Sequence, residues 1–214
     1  MDQDIEIINT ETRKEKIKNI IINNKKKIFS LIISLLLLLF IFFFYQTYKV
    51  EQKKSIAEKF NSSIIEFENG EKSKVTLTMK EIINTKNKTY SPLALYFLID
   101  NKLIESKDEI NKFFDIIIYE TNIDLEIKNL VIYKKGLFNS NFATESDLLD
   151  ILKPVINSES IWKGHALYLL GEYFYSKKEL KKSKEFFEQI VILDNVNSNI
   201  KIEAQKRIQR DFSE

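Results

Sequence analysis

Apolar positions recur along most of this chain with the period of an α-helix. From Val50 they fall at Val50, Ala57, Phe60, Ile64 and Phe67, spacings of 7, 3, 4 and 3 that mark a helix with one apolar seam. Gly70 interrupts that seam. Beyond it, periodic stretches separated by short polar joints predict helices near 72–84, 91–103, 107–120, 125–138, 145–156, 160–176, 179–194 and 199–211. Thr89, Ser106 and Thr144 stand at or near the places where N-caps are expected. Pro92 falls near a helix start, where a missing N–H does no harm, and Pro154 falls late enough in its helix to bend or end it. The run Val75-Thr76-Leu77-Thr78 is the only strand candidate, and the helical pattern on both sides outweighs it. The expected fold class is all-α.

One stretch departs from this amphipathic pattern. Residues 28–45, IFSLIISLLLLLFIFFFY, carry no charge and only two serines. As a helix they would extend about 27 Å, close to the hydrocarbon thickness of a bilayer. Ser30 and Ser34 can bond back to their own helix, and Tyr45 and Tyr48 suit the headgroup zone. A buried core helix is the bland alternative, but the rest of the chain offers no surface to cover this segment on all sides. A cleaved signal peptide is the other rival. Its short basic leader and small-residue cleavage site are missing, since 27 residues with five acids come first and Tyr45-Gln46-Thr47-Tyr48-Lys49 follows. The expectation is an uncleaved signal anchor over 28–48. It would follow a charged cytoplasmic leader (1–27) and precede a juxtamembrane amphipathic helix (49–69) and a repeat domain (70–214). Arg13, Lys14, Lys16, Lys18 and Lys25-Lys26-Lys27 precede the span, while Lys49, Lys53, Lys54 and Lys59 follow it. The triple lysine at its edge places the N-terminus inside and the large domain outside.

Composition narrows the chemistry. The 214 residues include no cysteine and one histidine, so thiolate sites, disulfides and histidine clusters are excluded. The four glycines, Gly70, Gly136, Gly164 and Gly171, form no phosphate-cradling loop, and no nucleophile-elbow or dinucleotide fingerprint occurs. Seven basic and five acidic residues precede residue 28, and the remaining 26 basic and 26 acidic residues cancel. That balance leaves no basic excess for nucleic acid. Lys177-Lys178 and Lys181-Lys182 read as a solvated face paired with Glu179 and Glu185, and the lysines beside the apolar run read as topology and anionic-lipid contact. The chain is expected to be no enzyme and to need no cofactor or metal.

Helix pairs of this length invite a search for internal repeats. Lys163–Glu172 reads KGHALYLLGE, Ile127–Gly136 reads IKNLVIYKKG and Ser91–Asp100 reads SPLALYFLID, each 36 residues from the next. The outer two share Ala-Leu-Tyr and an apolar pair, while the middle one matches in hydrophobic pattern alone. Residues 164–197, GHALYLLGEYFYSKKELKKSKEFFEQIVILDNVN, resemble a tetratricopeptide repeat. Ala166, Leu167, Leu170, Gly171 and Phe174 stand at the signature spacing of its first helix, and Leu180, Ser183, Phe187, Ile190 and Leu193 at that of its second. Small residues at Ala166, Gly171 and Ser183 would let the helices approach, with Phe174 and Phe187 filling the space beside them. Lys178 stands where a turn glycine is frequent, which predicts a looser turn, and Asn195 stands where a closing proline is frequent.

The whole layout also resembles a narrower family. The leader TETRKEKIKNIIINNKKK, one apolar span and a degenerate repeat domain ending in SIWKGHALYLLGEYFY, EFFEQIV and IKIEAQKRI are similar to the YfgM-like proteins, ancillary subunits of the bacterial SecYEG translocon. The resemblance implies a single-pass inner-membrane protein with a periplasmic domain that contacts translocon subunits, periplasmic chaperones or exported clients. It implies a scaffold or protein-binding module. The alternative is a structural homo-oligomer, paired through the helix at 49–68 and binding no client.

Several side chains invite a functional reading. His165 has no second histidine or cysteine to act with, and reads as a partly exposed residue opening a repeat helix. Trp162 reads as a packing anchor between repeats before it reads as a ligand platform. Tyr168 and Tyr175 are seven residues apart and share a helix face that is either core or groove lining. Trp162, Tyr168 and Tyr175 are therefore the candidate interaction surface. The acidic pairs Asp108-Glu109 and Asp147 with Asp150 sit at predicted helix N-termini, where carboxylates complement the helix dipole.

Overall fold

A computed structural model of the chain describes Glu15, Lys18, residues 22–194 and residues 196–212. The described residues are helical throughout: α1 (Lys25–Glu68), α2 (Lys72–Asn84), α3 (Tyr90–Asp100), α4 (Lys107–Asp115), α5 (Leu125–Asn139), α6 (Glu145–Ile156), α7 (Lys163–Ser176), α8 (Leu180–Ile192) and α9 (Ser198–Asp211). α4 runs on through a wider π-helical turn, Ile116–Glu120. Most of the leader, Asn195 and the last two residues lie outside the described set.

The chain divides into two compact units, Met1–Ser55 and Ile56–Glu214. In the first, every described side chain from Phe29 to Ser55 is exposed, including the whole apolar run from Leu31 to Tyr45. The Lys49 ammonium lies 4.7 Å from the centre of the Tyr45 ring, and Gln52 donates to the Tyr48 hydroxyl at 2.7 Å. By length and composition α1 could cross a membrane, and no other helix among the described residues is long and apolar enough to do so.

The second unit begins with the last turns of α1. Their apolar side chains Ile56, Phe60, Ile64 and Phe67 pack on the core; Phe60 meets Tyr90, and Phe67 meets Phe97 edge-on at 5.2 Å. Lys59 to Glu81 (2.5 Å) and Glu66 to Lys74 (2.7 Å) fasten the same turns to α2. Gly70 makes the reversal between the two helices with φ +89°, a conformation an L side chain resists. Short joints then pair α2 with α3, α5 with α6, and α7 with α8, and α9 lies along α8. Neighbours joined this closely and packed along their length are antiparallel hairpins.

Local chemistry explains most boundaries. The Ser106 hydroxyl accepts from the Glu109 amide, and Thr144 forms a reciprocal capping box with Asp147. At α3 Asn87 does this work instead of Thr89: its side-chain oxygen accepts from the amides of Thr89 and Tyr90, both at 3.0 Å. The β-prone run lies within α2, where Thr76 and Thr78 turn their hydroxyls onto the carbonyls four residues earlier. Pro154 lies inside α6, which continues to Ile156.

The main core joins Val75, Met79, Ile82 and Ile83 of α2 to Ala94, Leu95 and Leu98 of α3. It runs on through Phe114 and Ile117 to Val131, Leu148, Leu152, Ala166, Leu170 and Phe174. A smaller cluster, Leu167, Phe187, Ile190 and Ala204, closes the end under α9. Asn111 and Asn139 exchange side-chain hydrogen bonds at 3.0 and 2.8 Å and tie α4 to α5.

Candidate interaction surface

The α7–α8 hairpin shows how the repeat packs. Ala166, Leu167, Leu170, Gly171, Phe174, Ser183, Phe187 and Ile190 are all buried, whereas Leu180, in the first turn of α8, is about half exposed. A Cβ placed on Gly171 would lie 2.6 Å from the Phe187 ring, so the two helices meet only because that position has no side chain. Ser183 donates to the Gly171 carbonyl at 2.8 Å, and Phe174 stacks on Phe186 at 5.4 Å. The turn is closed rather than loose. Lys178 takes φ +64°, and the amides of Lys178 and Glu179 bond back to the carbonyls of Tyr175 (3.0 Å) and Phe174 (2.9 Å).

The preceding hairpin repeats this geometry. A Cβ on Gly136 would lie 2.4 Å from Leu152 of α6. Gly136 and Leu152 stand in α5–α6 as Gly171 and Phe187 do in α7–α8, so the middle block of the repeat alignment belongs one residue later than composition suggests. Val131 and Ile132 then correspond to Ala166 and Leu167, and all four are buried. The earlier block keeps its place, with Ala94, Leu95 and Leu98 buried where Ala166, Leu167 and Leu170 are. In this register Tyr96 of α3, Tyr133 of α5 and Tyr168 of α7 occupy equivalent positions on three helices.

These tyrosines share an environment. Partial burial raises the phenol pKa of each above its ordinary value of 10.0, and at Tyr168 the Glu172 carboxylate adds to the effect. The Tyr96 hydroxyl has no hydrogen-bond partner among the described residues. Beside it, between α3 and α5, lies a largely apolar cleft of about 390 Å³ walled by Pro92, Leu93, Tyr96, Ile127 and Leu130, with Lys88 and Asp124 at its rim. Tyr133 stacks on Trp162 at 6.0 Å and 15°, and both rings contact His165. Glu126 accepts from Ser160, whose hydroxyl accepts from the Trp162 amide, so the backbone at the start of α7 is fixed beside α5. Trp162 thus packs between the two hairpins. Burial lowers the His165 pKa, with the Ile161 carbonyl acting the other way.

At the far end α9 covers the face shared by Tyr168 and Tyr175. Tyr168 meets Phe187 edge-on at 5.2 Å, and Tyr175 meets Phe212 at 5.9 Å. The Arg207 guanidinium lies 4.4 Å from the Tyr175 ring centre, bonds Glu172 through two nitrogens (2.6 and 2.8 Å) and also reaches Asp211. The Arg210 hydrogen bond, and the charges of Arg207 and Arg210, hold the Asp211 carboxyl below its ordinary pKa. Trp162, Tyr168 and Tyr175 therefore do not form one open patch. Tyr96 already stands opposite Tyr168 in the outer aligned blocks, Tyr133 joins them only in the shifted register, and Arg207 carries no local signal at all.

Several of the acidic residues serve structural tasks. Glu109 pairs with Lys80 at 2.7 Å, Asp147 belongs to the capping box, and Lys182 bridges Glu145 and Glu179 at 2.7 and 2.8 Å. Among the described residues no group of three or more His, Cys, Asp or Glu side chains could hold a metal ion. No family profile, curated protein or solved structure matches the chain.

Proposed function

We propose that this protein is a membrane-anchored scaffold whose tetratricopeptide-like hairpins hold a polypeptide partner at the surface of the bacterial inner membrane. The observation that carries the reading is the pairing, in one chain, of an uncovered apolar run, Leu31 to Tyr45, with a helical array that repeats a tyrosine on α3, α5 and α7. Residues 28–48 are the tether, the charged leader stays in the cytoplasm, and the array works on the periplasmic side. The strip from the Leu93 and Ile127 cleft to Tyr133 is the binding face, since flat rings and aliphatic walls suit the apolar side chains of an extended or helical segment. Tethering raises the local concentration of that face beside other membrane proteins, so weak contacts suffice. The resemblance to the YfgM-like proteins supports translocon subunits, periplasmic chaperones or exported clients as partners.

The homo-oligomer reading draws less support. Phe60, Ile64 and Phe67, the seam that a paired helix would use, pack within their own domain. Photo-crosslinking in intact membranes separates the two. A photoreactive residue replaces Leu93 on the strip and, separately, Gln52 on α1; both are exposed. Crosslinks from position 93 to translocon, chaperone or exported chains are expected. Crosslinks only between copies of this protein, from position 52, would replace the scaffold by the oligomer.

A further inference from the structure

The three equivalent tyrosines stand in three successive seams of the array, and the seams are filled differently. In the seam of α5 and α7 the Trp162 indole stacks on Tyr133 at 6.0 Å and 15°, and His165 contacts both rings. In the seam of α7 and α9, Tyr168 has Glu172 and Arg207 beside it, joined to each other through two hydrogen bonds. In the seam of α3 and α5 the cleft of about 390 Å³ lies open beside Tyr96. The register that matches Gly171 with Gly136 also matches Trp162 with Ile127 and His165 with Leu130. Ile127 and Leu130 both line the cleft with Tyr96. Where one seam carries an indole and an imidazole, the other carries two aliphatic side chains, and the space beside the Tyr96 ring stays open.

We infer that this cleft receives an aromatic side chain of the partner polypeptide, a tryptophan above all, which stacks on Tyr96 as Trp162 stacks on Tyr133. The chain itself supplies the template, since the next seam holds an equivalent tyrosine covered by an indole. Pro92, Leu93, Ile127 and Leu130 give the apolar walls that such a ring needs. Charge sets what stands next to the ring. Lys88 is at the rim, the Lys134 ammonium lies 5.8 Å from the Tyr96 ring centre, and Asp124 is the one carboxylate lining the cleft. None of the three is in an ion pair among the described residues. Glu126, beside Ile127 in the chain, is turned to Ser160 in the other seam. Two ammoniums against one carboxylate favour an acidic residue beside the incoming ring and oppose a basic one.

The inference rests on the binding face proposed above and names what that face takes, so its test uses the purified chain, apart from any cellular partner. The isotopically labelled full-length protein in detergent is titrated with three acetylated and amidated tripeptides, and amide chemical shifts are followed. The peptides are Asp-Trp-Asp, Asp-Leu-Asp and Lys-Trp-Lys. Saturable shifts at Leu93, Tyr96 and Ile127 are expected, with Asp-Trp-Asp about three- to tenfold tighter than Asp-Leu-Asp. It should also bind more tightly than Lys-Trp-Lys. Ile127→Trp puts an indole where the next seam has one, and should abolish the tryptophan preference while keeping or raising the melting temperature. Tyr96→Leu keeps an apolar wall but removes the stacking face, and should cut that preference to about twofold or less. No saturable shift at these positions, equal affinity for the tryptophan and leucine peptides, tighter binding of the lysine peptide, or an undiminished preference in Ile127→Trp would overturn the assignment. Position 93 crosslinks to other proteins without a tryptophan preference would remove this inference and leave the scaffold reading standing. A tryptophan preference without such crosslinks would remove the scaffold reading instead.

Discussion

At the scale of single residues, absent atoms matter as much as present ones. Gly171 lets α7 and α8 approach closely, and the Phe187 ring it faces is fully buried. Gly171→Ala should lower stability by about 1–3 kcal/mol, because an aromatic ring inside a packed cluster has nowhere to move. Thermal unfolding followed by circular dichroism measures this, and an unchanged midpoint would mean that the hairpin is not tightly closed there. His165 makes a second prediction, through pH. Burial holds its pKa below the ordinary 6.5, so the unfolded chain binds the proton more readily than the folded one. The contribution is intact above the unfolded value and is lost as the pH falls below it. Melting temperature should therefore decline from about pH 7 to about pH 5.5, and His165→Gln should flatten part of that decline. A variant whose profile overlays the parent's would remove His165 from the explanation.

At the scale of elements, three helices end alike. Lys86, Lys102 and Lys178 each take a left-handed conformation just past a helix end, with φ between 53° and 64°. A residue with a Cβ is strained there, and the returning hydrogen bonds hold it in place. Lys178→Gly should stabilise the protein by about 0.5–1 kcal/mol, the relief of strain exceeding the extra freedom of the unfolded chain. A chemical-denaturation midpoint that fell would show that the freedom gained by the unfolded chain outweighs the strain relieved at the turn. The caps were legible beforehand at Ser106 and Thr144, because serine and threonine sit one residue before an apolar-periodic run. Asn87 was not, since its side chain reaches forward to two amides across a turn whose geometry no pattern reveals.

At the scale of the whole molecule, an uncovered apolar helix and a folded helical array share one chain. Between Phe29 and Ser55 no described side chain is buried, and so long an apolar surface is unstable in water. The full-length protein should resist extraction from membranes by alkaline carbonate and yield only to detergent, while a chain lacking residues 1–48 should be released. Release of the intact protein by carbonate would remove the tether from the proposed function. The repeat domain also closes its own ends. The last turns of α1 cover one flank with Ile56, Phe60 and Phe67, and α9 covers the other through Ala204 and Arg207, so the array ends in protein surface rather than in open hydrophobic edges.

The amino-acid sequence alone determined the all-α class, nearly every helix boundary, the apolar segment and the small-residue positions of α7 and α8. Each depends on the local backbone preference and on which face of one helix is apolar, and both are written along a single stretch of chain. Tertiary structure decided the repeat register, which moved by one residue only once Gly136 faced Leu152 and Gly171 faced Phe187. It also decided that Tyr168 and Tyr175 lie under α9, that Trp162 stacks on Tyr133, and that Tyr96 and Ile127 line one open cleft. Those outcomes depend on pairs of residues about 16 to 40 positions apart, and a hydrophobic period carries no information about which helix will cover which face.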